Sequence, residues 1–286
     1  RIHASPMKVL TFANYKGGVG KTTMAANIGA YFAGLGKRVL LIDFDYQGSL
    51  SSTVLRASGR QEIQSHADRL LTGALTPAEL VGQQFFLPPL LPQVALVPAG
   101  NVLNVQEGRL ALRWFLQMDD ADPRFALLRL LSHLDVLARF DIVIIDTPPR
   151  LSLATINALA ASTHFAVPTI LDSMSVENIG NLLENVDSIF RKNINPNIKL
   201  AGVIGTMTDE REAKDREVQA WESVKGRAIE KWGTSTHFFN TTIPDNVRFQ
   251  EDAGKRIAYM DQRKDNLFTR DKLNSLGGEL VERMRT

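Results

Sequence analysis

One short segment narrows the fold of this 286-residue chain more than any other. Tyr15-Lys16-Gly17-Gly18-Val19-Gly20-Lys21-Thr22-Thr23 lies between two readable elements. Before it comes the β-prone run Val9-Leu10-Thr11-Phe12-Ala13, and after it the helix-forming stretch Met24-Ala25-Ala26-Asn27-Ile28. Strand, glycine turn and helix N-terminus, in that order, make a phosphate loop. Gly17, Gly18 and Gly20 let backbone N–H groups approach phosphate oxygens with no Cβ in the way. Lys21 can reach the β- and γ-phosphates of a nucleotide, and the Thr22 hydroxyl can ligate Mg²⁺.

The rest of the chain repeats the strand-then-helix theme. Strands are predicted at Lys8–Asn14, Arg38–Asp43, Val94–Pro98, Asp141–Asp146, His164–Pro168, Leu200–Thr206 and Phe238–Ile243. Runs such as Val39-Leu40-Leu41-Ile42 and Ile142-Val143-Ile144-Ile145 are apolar at every position, as strands buried on both faces of a parallel sheet are. Helical periodicity covers Thr22–Leu35, Ser175–Lys192 and Glu210–Trp232. The expectation is an α/β fold, a doubly wound, mostly parallel sheet flanked by helices. Residues 47–92 are rich in Ser, Thr, Gly and Pro and read as loops around short helices. No linker divides the chain, so residues 1–286 read as one domain, with 1–7 an N-terminal extension. The opening Arg1 leaves room for a longer N-terminus.

Composition removes whole classes. There is no cysteine, hence no disulfide, thiolate metal site, iron–sulfur cluster or cysteine nucleophile. No apolar run approaches the roughly 18 residues of a membrane span, and residues 1–6 lack a signal-peptide core. The expected location is the cytoplasm. A net charge of +2 neither announces nor forbids nucleic acid.

The common phosphate-loop pattern has glycine where this chain has Tyr15, and this chain adds a lysine, Lys16. K-G-G-x-G-K-T-T resembles the deviant Walker A loop of the ParA/MinD family of ATPases. The resemblance implies that Lys16 reaches the partner subunit's nucleotide, so that two subunits sandwich two ATP molecules. It implies nucleotide contacts along Lys16, Gly17, Gly18, Val19, Gly20, Lys21, Thr22 and Thr23. Asp43-Phe44-Asp45-Tyr46-Gln47-Gly48 resembles the family's D-x-D-x-Q-G motif. That likeness assigns Asp43 to the Mg²⁺ shell and Asp45 to orienting the attacking water. Phe140–Pro149 resembles the Walker B strand with its T-P-P, and Asp146 in it can hold the Mg²⁺ shell through water. Arg150 stands where the family has a small residue, and receives no role. Gly202–Asp209 and Thr242–Arg248 resemble the segments on the adenine side, which brings in Met207, Pro244 and Asp245.

Without cysteine the chain departs from the nitrogenase iron protein, cluster scaffolds and arsenite pumps of this wider group. The stripe Leu273, Leu276, Leu280, Val281 and Met284 reads as a closing helix packed on the sheet rather than a lipid-inserting tail, so no membrane insertion is expected. From Arg248 onward nine Lys/Arg face seven acids. That surplus is slight, though dimerisation would double any phosphate-binding patch. The resemblance thus implies a slow ATPase switch that uses ATP and Mg²⁺ and closes as a homodimer. Its surface would be nonspecific DNA, with Arg248 a contact, its output DNA segregation or cargo positioning, and its partner an activator or adaptor protein; DNA binding would place it on the nucleoid. The alternatives are an ATP-dependent carboxylate-amidating enzyme on the same fold and a membrane-associated positioning ATPase.

Overall fold

The computed structural model describes residues 6–60, 64, 66–87, 90–208, 215–244, 256–261 and 267–285, the side chains of 215–217 apart. Its strands are β1 (Lys8–Phe12), β2 (Val39–Asp43), β3 (Phe86–Leu87), β4 (Leu91–Val97), β5 (Ile142–Asp146), β6 (His164–Ile170), β7 (Lys199–Thr208) and β8 (Ile243–Pro244). The first helices are α1 (Lys21–Gly34), α2 (Ser49–Ser58), α3 (Ala67–Leu71), α4 (Pro77–Leu80), α5 (Val102–Phe115) and α6 (Ala126–Leu131). After them come α7 (Leu134–Arg139), α8 (Leu153–Ala161), α9 (Ser173–Asn185), α10 (Arg191–Asn193), α11 (Asp215–Trp232) and α12 (Leu267–Arg285).

The strands form one sheet in the order β3-β4-β2-β5-β1-β6-β7-β8. Every pairing is parallel except β3 with β4. The order reverses direction at β1, where successive crossovers wind one way and then the other. Ligands of open α/β sheets bind at such a switch point, outside the carboxyl ends of the strands. β2 and β5 show why their apolar runs are unbroken, since all five residues of each are buried. Leu41 and Ile144 pack on one face with α1 residues such as Ile28, while Leu40, Ile42 and Val143 pack on the other with Leu127 and Ala158. Leu273, Leu276, Leu280 and Met284 of α12 are buried in the first of these cores beside Tyr31. The closing stripe is a core stripe.

Three departures from the sequence reading have local causes. The 47–92 segment supplies a strand as well as helices: Phe86–Leu87 pairs antiparallel with β4 at the sheet edge, and Phe86 stacks on Phe140. A hairpin partner needs no crossover helix, so strand–helix alternation does not flag it. β4 starts at Leu91, ahead of the predicted Val94. The predicted strand 238–243 shrinks to Ile243–Pro244, and Phe238 makes only an isolated bridge to Val203.

Candidate functional site

β1 ends at Phe12, and the chain turns through residues 15–20 into α1. Gly20 caps α1 in a left-handed conformation (φ 88°), and Gly18 has φ 70°. Side chains rarely adopt such angles, so both glycines are required by the turn itself. The cradle leans on two neighbours. Asn14 donates to the Pro168 carbonyl and accepts from the Lys16 N–H, while the Thr206 hydroxyl donates to the Val19 carbonyl at 2.9 Å. The exposed Gly17 and Gly18 sit above the buried Val19. Thr23 is half-buried in the first turn of α1.

The two lysines of the loop go different ways. Lys21 is buried and folds over its own turn, its Nζ donating to the Lys16 carbonyl at 3.0 Å. Burial pulls its pKa down, while Asp146 and Asp45 pull it back up. Lys16 instead reaches away from the loop to an ion pair with Asp172 and lies 3.4 Å from the Ser175 hydroxyl. Asp172 caps α9, accepting from the Ser175 N–H at 2.8 Å. Burial pushes its carboxyl up, but the bonds from Lys16 and Ser175 outweigh this and hold it below the usual range. Among the described residues, Asp172 is the functional neighbour that sequence reasoning missed. Asp172-Ser173-Met174-Ser175 could have signalled a helix start. Nothing in it signalled a lysine.

The carboxylates are delivered by strand register. β2 and β5 pair Asp43 with Asp146, and β1 and β5 pair Phe12 with Asp146, so both acids end beside the loop. Both are completely buried. Desolvation, and for Asp146 the adjacent Asp43, pushes their carboxyls up, Asp43 to about 6 and Asp146 to about 8. Asp43 spends both oxygens on the chain's own donors: Oδ1 takes the Asp45 N–H, and Oδ2 takes the Ser51 N–H and hydroxyl at 2.8 and 2.7 Å. Its immediate work is to fold the Asp45 loop and seat α2. Asp45 is half-buried and accepts the Gln47 N–H.

Asp146 is arranged differently. Its Oδ2 accepts the Thr22 hydroxyl at 2.6 Å, while Oδ1 is buried with no hydrogen-bond partner among the described residues. A buried carboxylate oxygen left unmatched is costly. A hard cation beside Thr22 would satisfy it, so the donor set fits Mg²⁺. No cage of three or more His, Asp or Glu residues exists among the described residues. Such a site is completed by water and phosphate oxygens rather than by protein alone.

The unassigned Arg150 has a definite place. It donates to Asn104 and Glu107 of α5, both at 3.0 Å, and its guanidinium lies 5.1 Å from the Tyr46 ring centre. Glu107 also accepts the Ala154 N–H, so one buried carboxylate ties α5, the post-β5 turn and α8 together. At the other rim, Met207 has φ 56° at an irregularity of β7 and is exposed, so it is not a core methionine. It follows Thr206, which holds the phosphate loop, and Pro244 of β8 pairs beside Thr208. Asp245 and Arg248 lie outside the described residues. No helix among the described residues is long and apolar enough to cross a membrane.

Residues 7–200 match a family described as an AAA domain. The chain is 33% identical over 251 residues to the chromosome-partitioning ATPase Soj of Thermus thermophilus, covering 87% of this chain and 86% of that protein. To the chromosome partitioning protein ParA of Caulobacter vibrioides it is 30% identical over 87% of this chain and 84% of that one. Among solved structures, McdA of Cyanothece in complex with ATP shares the fold, with TM-score 0.77 and 22% identity over 98% and 97% of the two chains. Cobyrinic acid a,c-diamide synthase of Mycobacterium smegmatis, with bound ADP and magnesium, has TM-score 0.68 and 29% identity over 87% and 91%.

Proposed function

The chain belongs to the ParA/MinD family of P-loop ATPases and hydrolyses ATP with Mg²⁺, and from that premise we propose that it is a dimerising switch for DNA segregation or cargo positioning. The observation that carries this reading is the division of labour between the lysines. Lys21 is buried and folds over its own loop, which supports a role at its own subunit's phosphates. Lys16 is held by Asp172, clear of them, where a second subunit's phosphates could compete for it. The contact is isologous, each subunit giving one lysine and receiving one.

Within one subunit, Lys21 and the N-terminus of α1 bind the phosphates. Thr22 and Asp146 would hold the metal shell, and Asp43, which fixes the Asp45 loop, would let Asp45 orient the attacking water. Mg²⁺, when bound, offsets the negative charge of the phosphates and of the two buried carboxylates. Met207, Pro244 and Asp245 take the adenine side. Nonspecific DNA is the surface to which the ATP state binds, and an activator or adaptor protein times the hydrolysis. The names of the partitioning relatives support this over the other readings.

The test is light scattering with and without ATP on an Asp45→Ala background, which should keep ATP and lose turnover. Lys16 intact should give an ATP-dependent dimer, and Lys16→Ala should not, with ATP affinity nearly unchanged. In parallel, ATP should strengthen retardation of duplex DNA of arbitrary sequence at low salt, and added salt should weaken it steeply. A Lys16→Ala dimer of wild-type stability sinks the sandwich, and indifference of DNA to ATP sinks the segregation reading. The likeness to the diamide synthase favours one rival, amidation of a small acid. ATP turnover stimulated by a carboxylic acid and not by DNA would select it.

A further inference from the structure

Arg150 stands on the turn that follows β5, and that turn lies between two parts of the candidate site. On one side Pro149 borders the phosphate loop, since a Cβ on Gly17 would stand 3.9 Å from the Pro149 Cβ. On the other side the Arg150 guanidinium lies 5.1 Å from the Tyr46 ring centre, within the range of a cation–π contact. Tyr46 directly follows Asp45 in the chain.

The Asp45 turn is closed by local bonds. Asp45 accepts the Gln47 N–H on its side chain and the Gly48 N–H on its carbonyl, at 3.1 and 2.9 Å. A turn closed in this way moves as one small body, and its orientation depends on what grips it from outside. Asp43 grips it from β2 through the Asp45 N–H. Tyr46, half-buried against the core that holds Phe44 and Val97, carries it toward the turn after β5.

Arg150 is itself firmly held. Its Nη2 donates to Asn104 and to the buried Glu107, both at 3.0 Å. The second Glu107 oxygen accepts the Ala154 N–H at 2.7 Å, at the start of α8. A carboxylate fixed at both oxygens leaves the guanidinium little freedom and keeps its charge over the Tyr46 ring. Tying α5 to α8 requires only Glu107 and the Ala154 N–H, so the contact of Arg150 with Tyr46 goes beyond that tie.

We propose that Arg150, fixed by Glu107, is a positioning residue for hydrolysis: through Tyr46 it sets the orientation of the turn that carries Asp45. The proposal rests on the reading of Asp45 as the residue that orients the attacking water. The side-chain bonds of Arg150 run to α5 and not to the phosphate loop, so it acts on turnover rather than on ATP affinity. Misplacing a reacting group by about 1 Å from a distance costs on the order of 100-fold.

Turnover at saturating Mg·ATP, together with ATP affinity by titration, tests this on Arg150→Ala, Tyr46→Ala, Tyr46→Phe, Asp45→Ala and the Arg150→Ala/Tyr46→Ala double variant. Arg150→Ala and Tyr46→Ala should each lose about 10-fold or more in turnover, with ATP affinity within about 3-fold of wild type. Tyr46→Phe keeps the ring and should keep the rate within about 2-fold. The double variant should be slower than the worse single one by less than about 2-fold, because both remove one contact. Arg150→Ala leaves a buried carboxylate without its partner and can unsettle the fold. If it melts early, Arg150→Ala combined with Glu107→Gln takes its place, since that pair leaves no unpaired buried charge and still offers Ala154 an oxygen. Arg150→Ala at wild-type turnover, a loss that appears in affinity instead, an additive double variant, or a Tyr46→Phe as slow as Tyr46→Ala overturns the proposal. Asp45→Ala separates it from the reading beneath it. Full turnover there sinks both, while an inactive Asp45→Ala beside a normal Arg150→Ala sinks this proposal alone.

Discussion

Lys16 and Lys21 share one turn but not one environment. Lys21 is buried, bonded to the backbone of its own loop and within reach of the Asp146 and Asp45 charges. Lys16 is one-fifth exposed in its side chain and tied to a residue on the far side of the loop, at the start of α9. One lysine is built into the subunit, and the other is parked. The difference makes one question testable by substitution: whether nucleotide affinity and the proposed nucleotide-driven assembly reside in two residues of the same type.

The largest effect should come from the built-in lysine. Lys21→Ala removes the buried charge that we propose for the phosphates, and ATP affinity should fall by about 100-fold or more. Lys16→Ala should change the same affinity by less than about 3-fold. Calorimetric titration of ATP into both variants reads the contrast. Equal losses would mean that both lysines serve one nucleotide and that the comparison is misconceived.

A second contrast sharpens the surroundings of Lys21. Asp146 is raised to about 8 by burial and by Asp43, so below that pH the metal-free folded chain holds a proton that the unfolded chain has released. Its stability should therefore fall as pH rises from the ordinary carboxylate range towards about 8. Asp146→Asn carries no such proton and should flatten the trend, melting higher than wild type at alkaline pH by on the order of a few °C. It should also lose Mg²⁺-dependent turnover. Thermal melts in chelator across that range check the first part, and a parallel slope in the variant would place the titrating group elsewhere.

What could be read from the sequence divides along the same line. Lys21, Thr22, Asp43 and Asp146 sit at ends of uninterrupted apolar runs or in the glycine turn, so local pattern and parallel register together place them. The parking place of Lys16 could not be read, because Asp172 lies 156 positions away and arrives only when β6 pairs with β1. Ser51, which occupies Asp43, is a common helix-start residue with no mark of its own. α5 escaped for the opposite reason. Its apolar residues face out, so a pattern that ordinarily reports a core stripe reports a surface here. β3 escaped because an antiparallel edge strand of two residues has too little length to show a period.

The smallest effect, and the most discriminating, concerns the parking itself. Asp172→Asn keeps an oxygen that can accept the Ser175 N–H and so keeps the α9 cap, but it removes the charge that holds Lys16. Asp172→Ala removes both, and should lower the melting temperature where Asn does not. The pair is partly exposed, and such pairs are worth at most about 1 kcal/mol. Freeing Lys16 should therefore speed or strengthen ATP-driven dimerisation by only about 2- to 5-fold. Stopped-flow light scattering on the Asp45→Ala background would resolve that factor, with the variant faster than its parent. If Asp172→Asn dimerises more slowly, the carboxylate presents Lys16 to the other subunit instead of restraining it. The lysine would then be positioned, as Lys21 is, and the distinction between a built-in and a parked residue would collapse.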